Sequence, residues 1–136
     1  MNQSFAALLL AARRERQLVI ATALTDGAPS GQARQARLAQ QQGAGAVELR
    51  ADLLADPAQV CAALTAVRAA SSLPLLLTYR STTEGGKGAG HGQGYEDYLA
   101  SLLQLRPAVA AVDIEMACPA SKALVAEAKA GGYDVV

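Results

Sequence analysis

Charged side chains stand at the ends of two short apolar runs, where they could contact a polar ligand. Glu48 and Arg50 lie in the first run, residues 45–54, and Arg80 directly follows the second, residues 73–79. Both runs are too short for a helix and are flanked by Gly or Pro, so each is predicted to be a strand. Residues two apart on a strand share a face, so Glu48 and Arg50 point the same way. Charges beside buried strands must be paired or must face a polar ligand.

A third apolar run, residues 108–116, carries Asp113 and Glu115 on one face near its end. Counted together, the carboxylates at these predicted strand ends outnumber the arginines. The group would therefore accommodate another cation. That cation could be a lysine amine or a divalent metal held by Asp113 and Glu115. Alternatively, these charged residues form salt bridges at the strand ends and have no binding or catalytic role.

Strands and helices alternate along the chain. Strands are predicted to begin near residues 18, 45, 73, 109 and 133, the first being a buried strand over residues 17–24. Helices are predicted over residues 4–16, 30–42, 57–71, 95–105 and 119–130, the first three capped by Ser4, Ser30 and Asp56 and the fourth stopped by Pro107. Such alternation is typical of an α/β fold with a parallel sheet.

Two architectures fit this pattern. One is a complete open five-stranded sheet of flavodoxin type, and the other is the N-terminal half of a (β/α)8 TIM barrel. The chain stops inside an apolar strand, residues 133–136, without a helix to cover it. This favours the half barrel, with residues 1–136 as a single partial domain that ends within the fifth strand.

Composition limits the partners. Twelve basic residues balance twelve acidic ones, and no basic stripe is present, so neither nucleic acid nor a membrane surface is a predicted partner. The apolar run 5–12 is too short to span a membrane and is followed by charges, unlike a signal peptide. Cys61 and Cys118 lie far apart in the sequence, and neither has a second Cys or a His at the spacing of metal ligands. The sequence therefore indicates no zinc site or disulfide and favours the reduced cytoplasm.

Six glycines lie between Ser81 and Gly94. The segment is predicted to be a mobile lid or connector. It lacks the G-x-x-x-x-G-K-S/T order of a phosphate-binding loop. His91, the single histidine of the chain, lies in this segment and is predicted to be a solvent-exposed loop residue.

Three motifs in order resemble type I 3-dehydroquinate dehydratase. They are V-E-L-R-A-D at residues 47–52, L-L-T-Y-R-S-T-T-E-G-G at residues 76–86 and V-D-I-E at residues 112–115. The resemblance implies a (β/α)8 barrel of the class I aldolase kind. It also implies a step of the shikimate pathway in which 3-dehydroquinate loses water through an imine with an enzyme lysine. The resemblance implies that this reaction uses neither a cofactor nor a metal.

The resemblance also assigns roles to single residues. Glu48 and Arg50 match the family's substrate-binding pair on the second strand, and Arg80 matches the arginine after the third. Glu84 matches the glutamate of the following loop, and Thr22 falls where the family has a substrate-contacting serine. In the family, Glu48 would hold the catalytic histidine.

The family's catalytic histidine and imine lysine would both lie beyond Val136, so no catalytic residue is predicted in this chain. Lys87, Lys122 and Lys129 are predicted to be surface residues, since none stands at a buried strand end. The isolated chain is therefore predicted to be inactive. It could also be a non-catalytic truncated paralogue or binding fragment, or belong to a divalent-metal-dependent β/α-barrel lyase.

Assembly follows from the half barrel. Its first and fifth strands would have unpaired edges, and the side chains of Val47, Leu49 and Leu77 are predicted to point inward without an opposite wall. Pairing of two copies would cover the strand edges and these side chains. The chain is therefore predicted to form a homodimer that binds a small-molecule substrate.

Overall fold

The alternation of strands and helices is confirmed in the computed structural model, which describes residues 4–105, 109 and 111–136. The strands are β1 Ala21–Leu24, β2 Ala46–Arg50, β3 Leu75–Thr78, β4 Ala111–Val112 and β5 Asp134–Val135, and the helices are α1 Phe5–Glu15, α2 Pro29–Gln41, α3 Pro57–Ala70, α4 Gln93–Leu103 and α5 Ser121–Ala130. Short 3-10 turns follow β2 and β3. Pro107 and Ala108, the predicted stop of the fourth helix and start of the fourth strand, lie outside the described residues. None of the helices described is long and apolar enough to cross a membrane.

The five strands form one parallel sheet in chain order, from β1 to β5. A flavodoxin-type sheet has its first strand between the second and third, so the observed order excludes that alternative. Strands that follow each other in order, joined by right-handed crossovers, place every crossover helix on the same face. This is the arrangement of a (β/α)8 barrel wall.

The apolar core lies between the sheet and helices α2 to α5. It contains the side chains of Val47, Leu49, Leu75, Leu77 and Val112, each at most 1% exposed. The prediction that Val47, Leu49 and Leu77 point into a barrel interior is therefore wrong. The period of two shows which residues share a face, and the crossover helices α2 to α5, which lie together on one face, decide which face is apolar.

The opposite face of the sheet, here called the inner face, is covered at its amino end by α1. Phe5 packs there against Ala46 and Ala111, in a small cluster separate from the main core. Ser4 Oγ donates a hydrogen bond of 2.9 Å to the carboxylate of Asp134, the first residue of β5. Helix α1 therefore joins the middle of the sheet to its last strand.

Two of the three predicted helix caps are confirmed. The side chains of Ser4 and Asp56 accept backbone N–H groups in the first turns of α1 and α3. The prediction for Ser30 is wrong, because α2 begins at Pro29, whose fixed φ and missing N–H suit a first helical position. The Asp26 carboxylate accepts the N–H of Ala28 just before this helix.

The first strand is shorter and more exposed than predicted. Only Ala21–Leu24 pair with β2, and Leu18 and Ile20 are 95% and 65% exposed. Within the described residues β1 has one neighbouring strand, so it lies at an edge of the sheet. A continuous apolar run predicts burial on both faces, which an edge strand does not provide.

Candidate functional site

Eight charged or ionisable side chains meet at the carboxyl ends of β2, β3 and β4, and we call them the strand-end cluster. The cluster consists of Glu48, Arg50, Asp52, Arg80, Glu84, His91, Asp113 and Glu115. The carboxyl ends of parallel strands lie at one edge of a sheet, where loops bring polar groups together.

Arg50 and Asp52 form a bidentate ion pair. Arg50 Nε and Nη2 donate to the two carboxylate oxygens of Asp52 at 2.9 and 2.8 Å. The same carboxylate, which is fully buried, accepts the backbone N–H groups of Arg80 and Lys87 at 3.3 and 3.0 Å. Burial alone would raise the pKa of Asp52, but these hydrogen bonds hold it below its ordinary value.

Asp52 therefore fastens the end of β2 to the end of β3 and to the glycine-rich segment. No role was predicted for Asp52 from the sequence, although it lies in the V-E-L-R-A-D motif. The one available signal was a carboxylate two residues after Arg50, directly beyond the strand.

Arg80 is surrounded by three carboxylates. Its Nη1 atom lies 2.6 Å from Glu84 and 3.3 Å from Glu115, and its Nη2 atom lies 3.3 Å from Asp113. Burial would lower the pKa of Arg80, but the three negative charges raise it. The structure thus brings Arg80 into contact with Glu84, Asp113 and Glu115, three of the carboxylates that the sequence placed at or after strand ends.

Glu115 is the most buried of the three carboxylates around Arg80, with a fully buried side chain. It accepts hydrogen bonds from the backbone N–H and the hydroxyl of Ser81, at 2.8 and 2.6 Å. These bonds, with further help from His91 and Arg80, hold the pKa of Glu115 below its ordinary value although burial opposes this. Asp113 shows the reverse: burial raises its pKa despite the charge of Arg80.

His91 is not the exposed loop residue that was predicted. Its side chain is 13% exposed, and its Nε2 atom lies 2.6 Å from Glu115 Oε2. The ring stands edge-on to Tyr95, with 5.4 Å between ring centroids, and the backbone N–H donates to Thr83 Oγ1 at 3.0 Å. The segment folds back over the strand ends, and a contact across 24 residues leaves no local pattern in the sequence.

The glycine-rich segment is fixed by hydrogen bonds where a mobile lid or connector was predicted. Gly88 N–H donates to the carbonyl of Arg80 at 2.9 Å, and Ala89 N–H donates to Tyr79 Oη at 2.8 Å. Gly85 has a φ of +83°, which favours glycine. A Cβ on Gly86 would lie 2.2 Å from the carbonyl oxygen of Arg80, so only glycine fits there. The two glycines of the Glu-Gly-Gly sequence are thus required by the backbone beside Arg80.

Glu48 and Thr22 differ in their relation to the cluster. Glu48 lies on the inner face with Arg50, and its charge contributes to the raised pKa values of Arg50 and Asp113. Its carboxylate forms no hydrogen bond to any of the described residues. Thr22 pairs with Val47 and lines a depression with residues of α2, so it faces away from the cluster.

Three residues of the cluster have the geometry of a cation site. Ligand atoms of Glu84, His91 and Glu115 all lie within 4.8 Å of one another, and in the part of the chain described this is the one group of three or more such side chains that meets that criterion. Asp113, which the sequence paired with Glu115 as a possible metal ligand, is not in this group. The lysines Lys87, Lys122 and Lys129 are exposed, as predicted.

The family model described as type I 3-dehydroquinase matches residues 20–136. The chain belongs to this family. Among curated relatives, it is 41% identical over 110 residues to a 3-dehydroquinate dehydratase of Methanoregula boonei, covering 80% of this chain and 47% of the relative. A 3-dehydroquinate dehydratase of Methanosarcina barkeri is 36% identical over 104 residues, covering 74% and 43%.

Solved structures of the family share the fold. The 3-dehydroquinate dehydratase of Enterococcus faecalis superimposes with a TM-score of 0.75 and 27% identity, covering 86% of this chain and 51% of that one. The type I enzyme of Clostridium difficile gives a TM-score of 0.76 at 20% identity, covering 86% and 48%. The chain therefore spans about half the length of the relatives it matches.

Proposed function

We propose that this chain provides the substrate-binding face of a type I 3-dehydroquinate dehydratase, which converts 3-dehydroquinate into 3-dehydroshikimate and water. The observation that carries the proposal is the position of Arg80. It stands at the carboxyl end of β3, partly exposed, in contact with the loop residue Glu84 and beside the ends of β2 and β4. This is where substrates bind in barrels of this type.

The substrate carries a carboxylate, hydroxyls and a ketone, and the cluster offers matching groups. Arg50 and Arg80 present planar sets of N–H donors. The carboxylate of Glu48, which has no hydrogen bond within the described residues, is available to accept from a hydroxyl or to orient a neighbouring base. Glu84 is about one-third exposed, so it can release Arg80 and turn to the ligand.

The covalent chemistry needs an unprotonated amine in a dry pocket beside a general base. Lys87, Lys122 and Lys129 are exposed and meet neither condition. We therefore assign binding to these 136 residues, and the imine-forming lysine and base to another part of the cytoplasmic enzyme. The chain alone is expected to bind 3-dehydroquinate without turning it over.

Binding of 3-dehydroquinate to the purified chain, measured by calorimetry, tests the role of the arginines. Replacing Arg50 or Arg80 by Ala removes a charge-assisted hydrogen bond worth about 1.5–3 kcal/mol, so affinity should fall about 10-fold to 150-fold. Arg34→Ala, an exposed change on α2, is the matched control and should leave affinity unchanged. Equal affinity of wild-type protein and Arg80→Ala would reduce Arg80 to a structural ion pair.

We also propose that two copies of the chain associate. Within the described residues β1 and β5 each pair with one strand, so each leaves a row of backbone N–H and C=O groups unpaired. Exposed apolar side chains lie beside both, with Leu18 and Ile20 before β1 and Val136 after β5. Sedimentation equilibrium should give a dimer mass, whereas a monodisperse monomer would contradict the proposal.

A further inference from the structure

We propose that Glu84, His91 and Glu115 form a binding site for Zn²⁺ whose occupation competes with the ion pairs of Arg80. Glu84 and His91 lie in the glycine-rich segment, Glu84 in the turn after β3, and Glu115 lies beyond the end of β4. One imidazole nitrogen and two carboxylate oxygens within 4.8 Å form a donor set that suits zinc. A fourth position would remain for water.

Two of the donors are held in place before any ion binds. The buried Glu115 carboxylate is oriented by the backbone N–H and hydroxyl of Ser81. His91 is held by its backbone bond to Thr83 and by its contact with the ring of Tyr95. Supporting contacts of this kind raise metal affinity because they fix ligand orientation. Glu84 is the exposed donor and is free to adjust its position.

The contacts among these donors show what zinc would replace. Glu115 can only accept when ionised, so the 2.6 Å bond to His91 is made by a proton on Nε2. Zinc takes the place of that proton, which moves to Nδ1 or to solvent. The proposed ion thus lies where a proton now joins two potential ligands.

Arg80 is the second competitor, because its Nη1 atom bridges Glu84 and Glu115. A divalent ion at those carboxylates repels the guanidinium, which can retain its existing contact with Asp113 through Nη2. Three carboxylates surround this single guanidinium, so their negative charge is not balanced by Arg80 alone. The surplus charge favours a second cation.

One consequence rests on the proposed function. If Arg80 and Glu84 bind 3-dehydroquinate, zinc at Glu84 and 3-dehydroquinate should exclude each other, which calorimetric titration of the zinc-loaded chain would detect. Zinc binding itself does not depend on that function. A chain that binds zinc but not 3-dehydroquinate would refute the proposed function and leave the metal site intact.

Calorimetric titration of the purified chain with Zn²⁺, repeated with Co²⁺ by visible absorption, is the direct test. Wild-type protein should bind one ion, and His91→Gln and Glu84→Gln should each weaken binding at least about tenfold. Glu127→Gln, which removes an exposed carboxylate on α5 outside the trio, is the matched control and should bind as the wild type does. No binding up to about 1 mM, or equal affinity in His91→Gln, would overturn the site.

Arg80→Gln distinguishes this site from a histidine that captures metal by itself. Removal of the competing guanidinium should tighten zinc binding several-fold, whereas capture by His91 alone would be insensitive to Arg80. Unchanged or weaker binding in Arg80→Gln would contradict the proposal. Circular dichroism verifies folding of each variant. Glu84→Gln changes an exposed side chain, so it keeps the test decisive if another variant unfolds.

Discussion

The two faces of the sheet solve different problems with residues that alternate along the same strands. In β2, Val47 and Leu49 pack against the helices. Glu48 and Arg50, which alternate with them along the strand, lie on the inner face. In β2 and β3 the helix-facing side chains are all apolar and at most 1% exposed. The inner face becomes charged towards its carboxyl end, where the ionisable groups contact one another.

This difference shows where the fold derives its stability and where it keeps its chemistry. Burial of the helix-facing side chains removes apolar area from water and does not depend on pH. The strand-end cluster keeps charges partly desolvated, which is stabilising only while each charge has a partner. Each face can therefore be perturbed separately, with a different dependence on pH.

The largest effect should come from the helix-facing side. Leu77→Ala removes a fully buried side chain from β3 and leaves a cavity against the helices, so the free energy of unfolding should fall by about 2–5 kcal/mol. Urea denaturation followed by circular dichroism measures this. The loss should be the same at pH 4 and pH 7.

Leu76→Ala is the matched control for that experiment. Leu76 is the adjacent residue on the same strand, is only partly buried, and belongs to the small cluster under α1. Leu76→Ala should lower the free energy of unfolding clearly less than Leu77→Ala does. If Leu76→Ala were the more damaging change, the assignment of the main core to the helix-facing side would be wrong.

A smaller effect, dependent on pH, should come from the strand-end cluster. Asp52→Asn weakens the pair with Arg50 and two backbone hydrogen bonds, so it should cost about 1–3 kcal/mol at pH 7. Because the pKa of Asp52 is lowered on folding, its ionised form stabilises the protein above the unfolded-state pKa. That contribution disappears as the pH falls through the folded-state pKa.

The difference in stability between wild-type protein and Asp52→Asn should therefore shrink as acid is added below about pH 4. Urea denaturation at a series of pH values measures it. Asp113→Asn is the contrasting control, because burial raises the pKa of Asp113 and its ionisation opposes folding. A difference for Asp52→Asn that stays constant down to pH 2 would show that the Arg50 pair contributes nothing through its charge.

Sequence patterns predicted the features that repeat along the chain. The alternation of strands and helices gave the parallel sheet, and the period of two correctly placed Glu48 and Arg50 on one face. The same period could not tell which face the helices cover, so Leu77 was assigned to the wrong side. A continuous apolar run also could not show that β1 lies at an edge, where Leu18 and Ile20 stay exposed.

The candidate site was predictable only where its residues lie in strands or in family motifs. Arg80 and Glu84 were found in this way, because a strand end and the following turn place them together. His91 was missed because its contact with Glu115 depends on the path of the glycine-rich segment. That path is set by the close approach of Gly86 to Arg80 and by the anchor on Tyr79, which no local pattern encodes.

Helix α1 has a consequence for the order in which the chain folds. Its first turn binds Asp134, 130 residues away along the sequence, and Phe5 packs on strands β2 and β4. Bringing such distant segments together costs chain entropy that only an assembled sheet can offset. Although α1 precedes all five strands along the sequence, it can dock only after nearly all of them have formed. Its amide protons should therefore be among the last to become protected during refolding, and they report when the sheet is complete.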